Sequence, residues 1–240
     1  MSTYGPPEGH PPGAPAVVPR WELGDALRYG WAKFRANLGT VILAVIAVAV
    51  TVAIVQGVGY LVRDAMGCSG SGDTDCGGFL SLANLVSLLF SALSFVVGQI
   101  VGAGVIRASL DLTEGRAFTL ATVFSPHRLP QVIVASILTG ILSTVGFLLC
   151  LLPGIAFSIA SQYTLYFVLD KGLGPWQAIK ASVHLARTNL GPTLIWYVVS
   201  FALMLLGLLL CLVGWIVILP VVLIGQAYTY KVLSGQPVAD

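Results

Sequence analysis

An all-α integral membrane protein with six transmembrane helices is the fold class this sequence predicts, on three observations. Only 9% of the 240 residues are charged and 57% are hydrophobic, against about 25% charged in a soluble domain. That leaves too little polar surface to cover a water-soluble globule. Four stretches, 38–62, 79–106, 131–169 and 190–230, contain no Asp, Glu, Lys, Arg or His. A basic helical stretch is written twice, each time just ahead of an uncharged run.

The first element is a tail. Residues 1–20, MSTYGPPEGHPPGAPAVVPR, hold six prolines and three glycines and lack the apolar region of a signal peptide. This composition predicts a disordered or polyproline-like cytoplasmic tail. Within it Pro12 and Pro15 form a minimal PxxP that suits a protein partner.

The membrane domain is expected over 21–234, with a short cytoplasmic tail at 235–240. About 20 apolar residues cross a bilayer, so 38–62 and 79–106 read as single spans. The last two uncharged runs have 39 and 41 residues. A straight 39-residue helix would measure about 58 Å, nearly twice the hydrocarbon thickness. Each run carries a breaker near its midpoint, Pro153-Gly154 in one and Gly214 in the other. Each therefore reads as a hairpin, with spans at 131–152, 155–169, 191–213 and 215–230.

The basic stretches are ALRYGWAKFRANLG (26–39) and AIKASVHLARTNLG (178–191), with five of fourteen aligned positions identical. At 100° per residue the first places Leu23, Leu27, Trp31, Phe34 and Leu38 on one stripe. The second does so with Trp176, Ile179, Val183, Ala186 and Leu190. Arg28, Lys33 and Arg35 flank the first stripe, and Lys180 and Arg187 flank the second. Such a helix lies in the headgroup region, so these five basic residues are candidate contacts for anionic inner-leaflet lipid. A further match joins GFLLCLLPG (146–154) to GLLLCLVGW (207–215), 61 residues on. Applying the same offset makes 117–128 a degenerate third copy of the basic helix. The expected unit is a cytoplasmic interfacial helix followed by a helical hairpin, present three times in parallel. Many secondary transporters use inverted repeats instead.

Lys and Arg in the loops set orientation. With both termini inside, eleven of the twelve basic residues are cytoplasmic and only Arg63 is outside. Both termini are thus expected on the cytoplasmic side. A nucleic-acid partner would need a basic patch on a soluble module, and the sequence offers none.

Chemistry-bearing residues are sparse. Cys68 and Cys76 share the one sizeable outer loop, where thiols tend to oxidise, and are expected to form a disulfide. Cys150 and Cys211 precede the two hairpin turns and read as small hydrophobic side chains. No HExxH-type pattern and no four-ligand zinc spacing occurs. No Asp or Glu falls within the predicted spans, which argues against an intramembrane aspartyl protease. No catalytic residue, metal or cofactor is expected, and the chain reads as a non-enzyme. Polar residues within the spans read first as interhelical hydrogen-bond partners. Among them Gln162, Tyr163, Tyr166 and Gln226 are candidates to line a cavity for a lipid or a small polar solute.

The basic helices ending in ANLG and TNLG, the LLPG hairpin and YTLYFVLDKGLGPWQAIKASVHLARTNLG (163–191) carry a resemblance. Over roughly residues 20–237 the chain resembles a group of six-span bacterial membrane proteins. That group includes the membrane domain fused to some glycerophosphodiester phosphodiesterases. With its Pro/Gly-rich tail it is most similar to the proline- and glycine-rich transmembrane proteins of actinobacteria. The resemblance implies the fold, and the phosphodiesterase activity is not carried over. Function is expected to be the organisation of, or assistance to, lipid or envelope machinery. The alternative is a parallel-repeat transporter or lipid-translocating protein.

Overall fold

The structure, a computed structural model, describes residues 20–65, 82–123, 128–209 and 211–239. The described residues are all-helical. In order they form α1 (Leu23–Ala36), α2 (Leu38–Ala65), α3 (Leu82–Thr113), α4 (Leu120–Val123), α5 (Leu129–Leu149), α6 (Leu151–Ser161), α7 (Thr164–Asp170), α8 (Pro175–Thr188), α9 (Leu190–Leu209) and α10 (Cys211–Leu233). Among the described residues six segments are long and apolar enough to cross a membrane: 38–62, 88–113, 129–149, 151–170, 190–209 and 216–233. The chain therefore has the architecture of a multi-pass membrane protein. Within the spans, leucines such as Leu148, Leu149, Leu208 and Leu209 point outward, as suits a solvent made of hydrocarbon.

Sequence neighbours α2 and α3, α5 and α6, and α9 and α10 pack against each other, and α1 lies along α10. Without a hydrophobic force between lipid-solvated helices, close approach depends on small residues. Gly146 sits opposite Gly154, with only 3.1 Å between its would-be Cβ and the Gly154 Cα. At the α1–α10 crossing a Cβ on Gly30 would come within 2.6 Å of the Val221 carbonyl oxygen. One on Gly225 would come within 2.5 Å of the Trp196 ring. Trp196 itself is fully buried.

The two basic helices dock on faces other than those their apolar stripes suggest. α1 buries Ala26, Gly30 and Phe34, whereas Trp31 and Leu38 are exposed. α8 buries Ala178, Ile179, Ser182, Leu185 and Ala186, leaving Trp176 and Leu190 outside. Of the stripe residues Phe34, Ile179 and Ala186 are buried in the protein core, and Leu23 and Leu27 pack partly buried against it. The faces that pack inward are the small-residue faces, and they coincide in the two aligned stretches: Ala26 with Ala178, Gly30 with Ser182, Phe34 with Ala186. Of the predicted middle copy, 117–128, only Leu120–Val123 is helical among the described residues.

The fourth crossing departs from the sequence reading of one helix over 155–169. It is broken at Gln162–Tyr163 into α6 and α7. A break in hydrocarbon exposes backbone groups that must be paired elsewhere. Ser182 of α8 supplies both sides. Its Oγ donates to the Ala160 carbonyl at 2.7 Å and accepts from the Tyr163 N–H at 3.1 Å. Gln226 of α10 donates from Nε2 to the Gln162 carbonyl at 3.1 Å.

Candidate functional site

Beside this break lies a cavity of about 330 Å³ among α3, α5, α6, α7 and α10. Gln162, Tyr166 and Gln226 line it, joined by Ser136, Thr139 and Thr164. Tyr163, predicted with the first three, is fully buried and not part of the lining. The cavity's own polar groups are partly spoken for. Ser136 Oγ lies 2.6 Å from Gln99 Oε1 on α3, and the Tyr166 hydroxyl donates to the Leu223 carbonyl at 3.2 Å. The Thr139 and Thr164 hydroxyls have no hydrogen-bond partner.

Between the cavity and the chain's charged ends stands an aromatic layer. The Tyr230 ring centroid is 5.5 Å from that of Tyr166 and 5.0 Å from that of Phe167, which meets it edge-on. Beyond the layer the ends of α3, α7 and α10 converge on Lys231, whose side chain is only 3% exposed. Its ammonium donates to Asp170 Oδ1 at 2.7 Å, Glu114 Oε1 at 2.8 Å and Gln236 Oε1 at 2.9 Å. The second Asp170 oxygen accepts from the Tyr230 hydroxyl at 2.8 Å and from Gln236 Nε2 at 3.2 Å. Arg116 pairs with both Asp111 and Glu114 and closes the outer edge. Its hydrogen bond to Asp111 holds the guanidinium above the usual arginine value.

The sequence reading left Asp111, Glu114 and Arg116 outside the span that it ends at 106. It missed Asp170 and Lys231, which make the buried part of the network. Helix α3 runs seven residues beyond the predicted span end at 106 and carries Asp111 inward. The signal available was positional: Glu114, Asp170 and Lys231 each follow an uncharged run that ends on the same side.

Four of the five predicted lipid contacts occupy two outward faces, and Lys33 lies on another side of α1, half-exposed. On α1, Arg28, Trp31 and Arg35 fall within about 60° of one another at 100° per residue; all three are exposed. On α8, Trp176, Lys180 and Arg187 fall within about 40° and are exposed as well. The Lys180 ammonium lies 5.5 Å from the Trp176 ring centroid, and that of Lys33 lies 5.3 Å from Tyr29. Among the described residues no carboxylate pairs with Arg28, Arg35, Lys180 or Arg187. Asp111, Glu114 and Asp170 are committed to Arg116, Lys171 and Lys231, while Glu22 and Asp25 lie at the start of α1.

Cys150 is a free, exposed thiol between α5 and α6. The Cys68–Cys76 disulfide and the PxxP tail lie outside the described residues. No cluster of three metal-ligating side chains occurs among the described residues.

A protein of Mycobacterium tuberculosis, Uncharacterized protein Rv2560, is 31% identical over 248 residues, covering 98% of this chain and 75% of its own length. Uncharacterized protein Mb2590 of Mycobacterium bovis is 32% identical over the same extent. This chain belongs to the Rv2560 family. No family model matches the chain, and no solved structure does. Within the Rv2560 family the match extends over nearly the whole of this chain.

Proposed function

We propose that this protein is a non-enzymatic organiser of anionic lipid in the bacterial inner membrane, with both termini cytoplasmic. One observation carries the proposal: two outward faces, on α1 and α8, each join a pair of exposed basic residues to an exposed tryptophan. A tryptophan beside a cation is an interfacial anchor. A basic residue near an anionic leaflet contributes about 1 kcal/mol. The burial of the same small-residue positions in both stretches supports a repeated unit of basic helix plus hairpin. In this reading the Pro-rich tail recruits a protein partner to the lipid so gathered. The transporter or lipid-translocating alternative draws its support from the broken fourth crossing beside a polar cavity.

The test replaces Arg28, Arg35, Lys180 and Arg187 by Gln together. Native mass spectrometry should show co-purified anionic lipid falling several-fold, with the fold intact because none of the four is buried. Salt should weaken lipid retention by the parent, since interfacial charges are screened. An unchanged lipid profile would reduce these residues to an orientation signal and remove the proposal's support.

Orientation has its own check. Cysteines placed at the exposed positions Ala117 and Gln177 should react with an impermeant thiol reagent only from the cytoplasmic side, and one at Gly72 only from outside. Outside labelling at Gln177 would break the six-crossing topology.

A further inference from the structure

We propose that the groove among α2, α3 and α10 seats one acyl chain of an anionic phospholipid, with the headgroup at the last turn of α1. The inference rests on the lipid-holding reading of α1 and adds what that face alone lacks, a place for the rest of the lipid. The groove has a volume of about 420 Å³. Among the described residues no charged side chain lines it. Its one polar side chain, Ser109, donates to the Val105 carbonyl of its own helix at 2.8 Å. An occupant therefore meets hydrocarbon and no group that asks for a hydrogen bond, so a polar ligand would be desolvated there without compensation. Gly98 and Gly102 keep the groove open: a Cβ at either position would meet nothing within 4 Å.

Depth and section point to the occupant. The lining runs from Val41 to Val52 on α2 and from Gly98 to Ser109 on α3, about 16 Å along each helix at 1.5 Å per residue. One leaflet's hydrocarbon, half of about 30 Å, has the same depth. Over that depth the volume leaves a mean section of about 26 Å², against about 80 Å² for a helix 10 Å across. A helix of a second copy is too thick to enter, whereas a single polymethylene chain is not. Toward α1 the groove is bounded by Val41, Ala44 and Phe118, which share one core cluster with Phe34. Lys33 and Arg35 stand on either side of Phe34 in the last turn of α1, and Arg35 is exposed. A chain lying in the groove thus brings its phosphate end to a basic turn, where opposite charges meet.

The experiment uses the full chain in phosphatidylcholine nanodiscs that contain a phosphatidylglycerol carrying a diazirine in one acyl chain, with photolabelled residues mapped by mass spectrometry. Label on the groove-lining residues of α2 and α3 should exceed several-fold that on Leu148, Leu149, Leu208 and Leu209, which any surrounding lipid touches. Gly98→Leu combined with Gly102→Leu fills the groove, and the open space at both positions lets the variant fold. Its melting temperature should match or exceed that of the parent, since leucine is the better helix former. Groove label should fall in this variant to the level of the leucines, whose own label stays unchanged. The same diazirine chain on phosphatidylcholine separates chain from headgroup. Lys33→Gln with Arg35→Gln should bring groove label by phosphatidylglycerol down to that by phosphatidylcholine. Groove label equal for the two lipids in the parent, yet lost on filling, upholds the acyl-chain site and overturns the anionic headgroup. Label spread evenly over groove and leucines, or unchanged by filling, overturns the site. A disulfide-linked dimer formed by Gly102→Cys and not by the parent does so too, because it places a second copy in the groove.

Discussion

Replacing Lys231 by Met is expected to destabilise the folded protein by about 3–5 kcal/mol, the usual cost of removing one member of a buried ion pair. Most of that loss comes from what stays behind. The Asp170 carboxylate is 8% exposed and keeps Tyr230 and Gln236 as donors, but no buried positive charge. Glu114 is one-third exposed and retains Arg116, so it contributes less to the loss. Adding Asp170→Asn should therefore recover more than half of the stability lost in Lys231→Met, because the double variant buries no uncompensated charge. Arg116→Met, which touches the same network from an exposed position, should cost no more than about 1 kcal/mol. Denaturation in a mild detergent measures all of these. A Lys231→Met protein within about 0.5 kcal/mol of the parent, the range of an ordinary surface change, would mean that the network is ornamental.

The second large effect is expected at the α1–α10 crossing. Gly30→Leu places four carbons where even a Cβ would press on the Val221 carbonyl, 2.6 Å away. That carbonyl belongs to α10, and Trp196 supports the same crossing at Gly225 without room to retreat. Overpacking of this kind costs about 1–3 kcal/mol, at times more. α1 has a cheaper escape than deforming α10: it can lift away. Trypsin should then cut the variant at Arg28, Lys33 or Arg35 under conditions that leave the parent helix whole. Gly39→Leu is the control, since a side chain there meets nothing within 4 Å. Parent-like trypsin resistance in Gly30→Leu would show that α1 is held by something other than this contact.

Much of the architecture was legible in the sequence because hydrocarbon imposes a simple demand on it. Uncharged runs, two of them too long for one crossing, are the statement of six crossings. The helices part at Cys150 and just before Cys211, however, while the predicted breakers Pro153-Gly154 and Gly214 lie inside α6 and α10. The docking faces of α1 and α8 were not legible by the same rule. In water the most apolar stripe of a helix turns inward. At a membrane, lipid takes the exposed part of that stripe, with Trp31, Leu38, Trp176 and Leu190, while Ala26, Gly30, Ala178 and Ser182 meet the protein beside Phe34, Ile179 and Ala186. Lys231 counted only among the eleven cytoplasmic basic residues, because runs ending on the same side do not by themselves show that three helix ends converge. The break at Gln162–Tyr163 lies inside an uncharged run with no Gly or Pro at the site. Gln162, Tyr166 and Gln226 stood out only as polar residues in apolar surroundings.

Ser182 also sets an order of events during synthesis. The fourth crossing cannot satisfy its own backbone at the break; the hydroxyl that does so lies about twenty residues further along the chain. Until α8 is made, the nascent fourth segment can take this bent shape only with the Ala160 carbonyl and Tyr163 amide unpaired. Hydrocarbon penalises both. Stable lateral release of that segment from the insertion machinery therefore waits for α8, and the two leave as one cooperative unit. A chain arrested between Lys171 and Pro175 should linger at the translocon or be handed to membrane proteases. One extended through Asn189 should not.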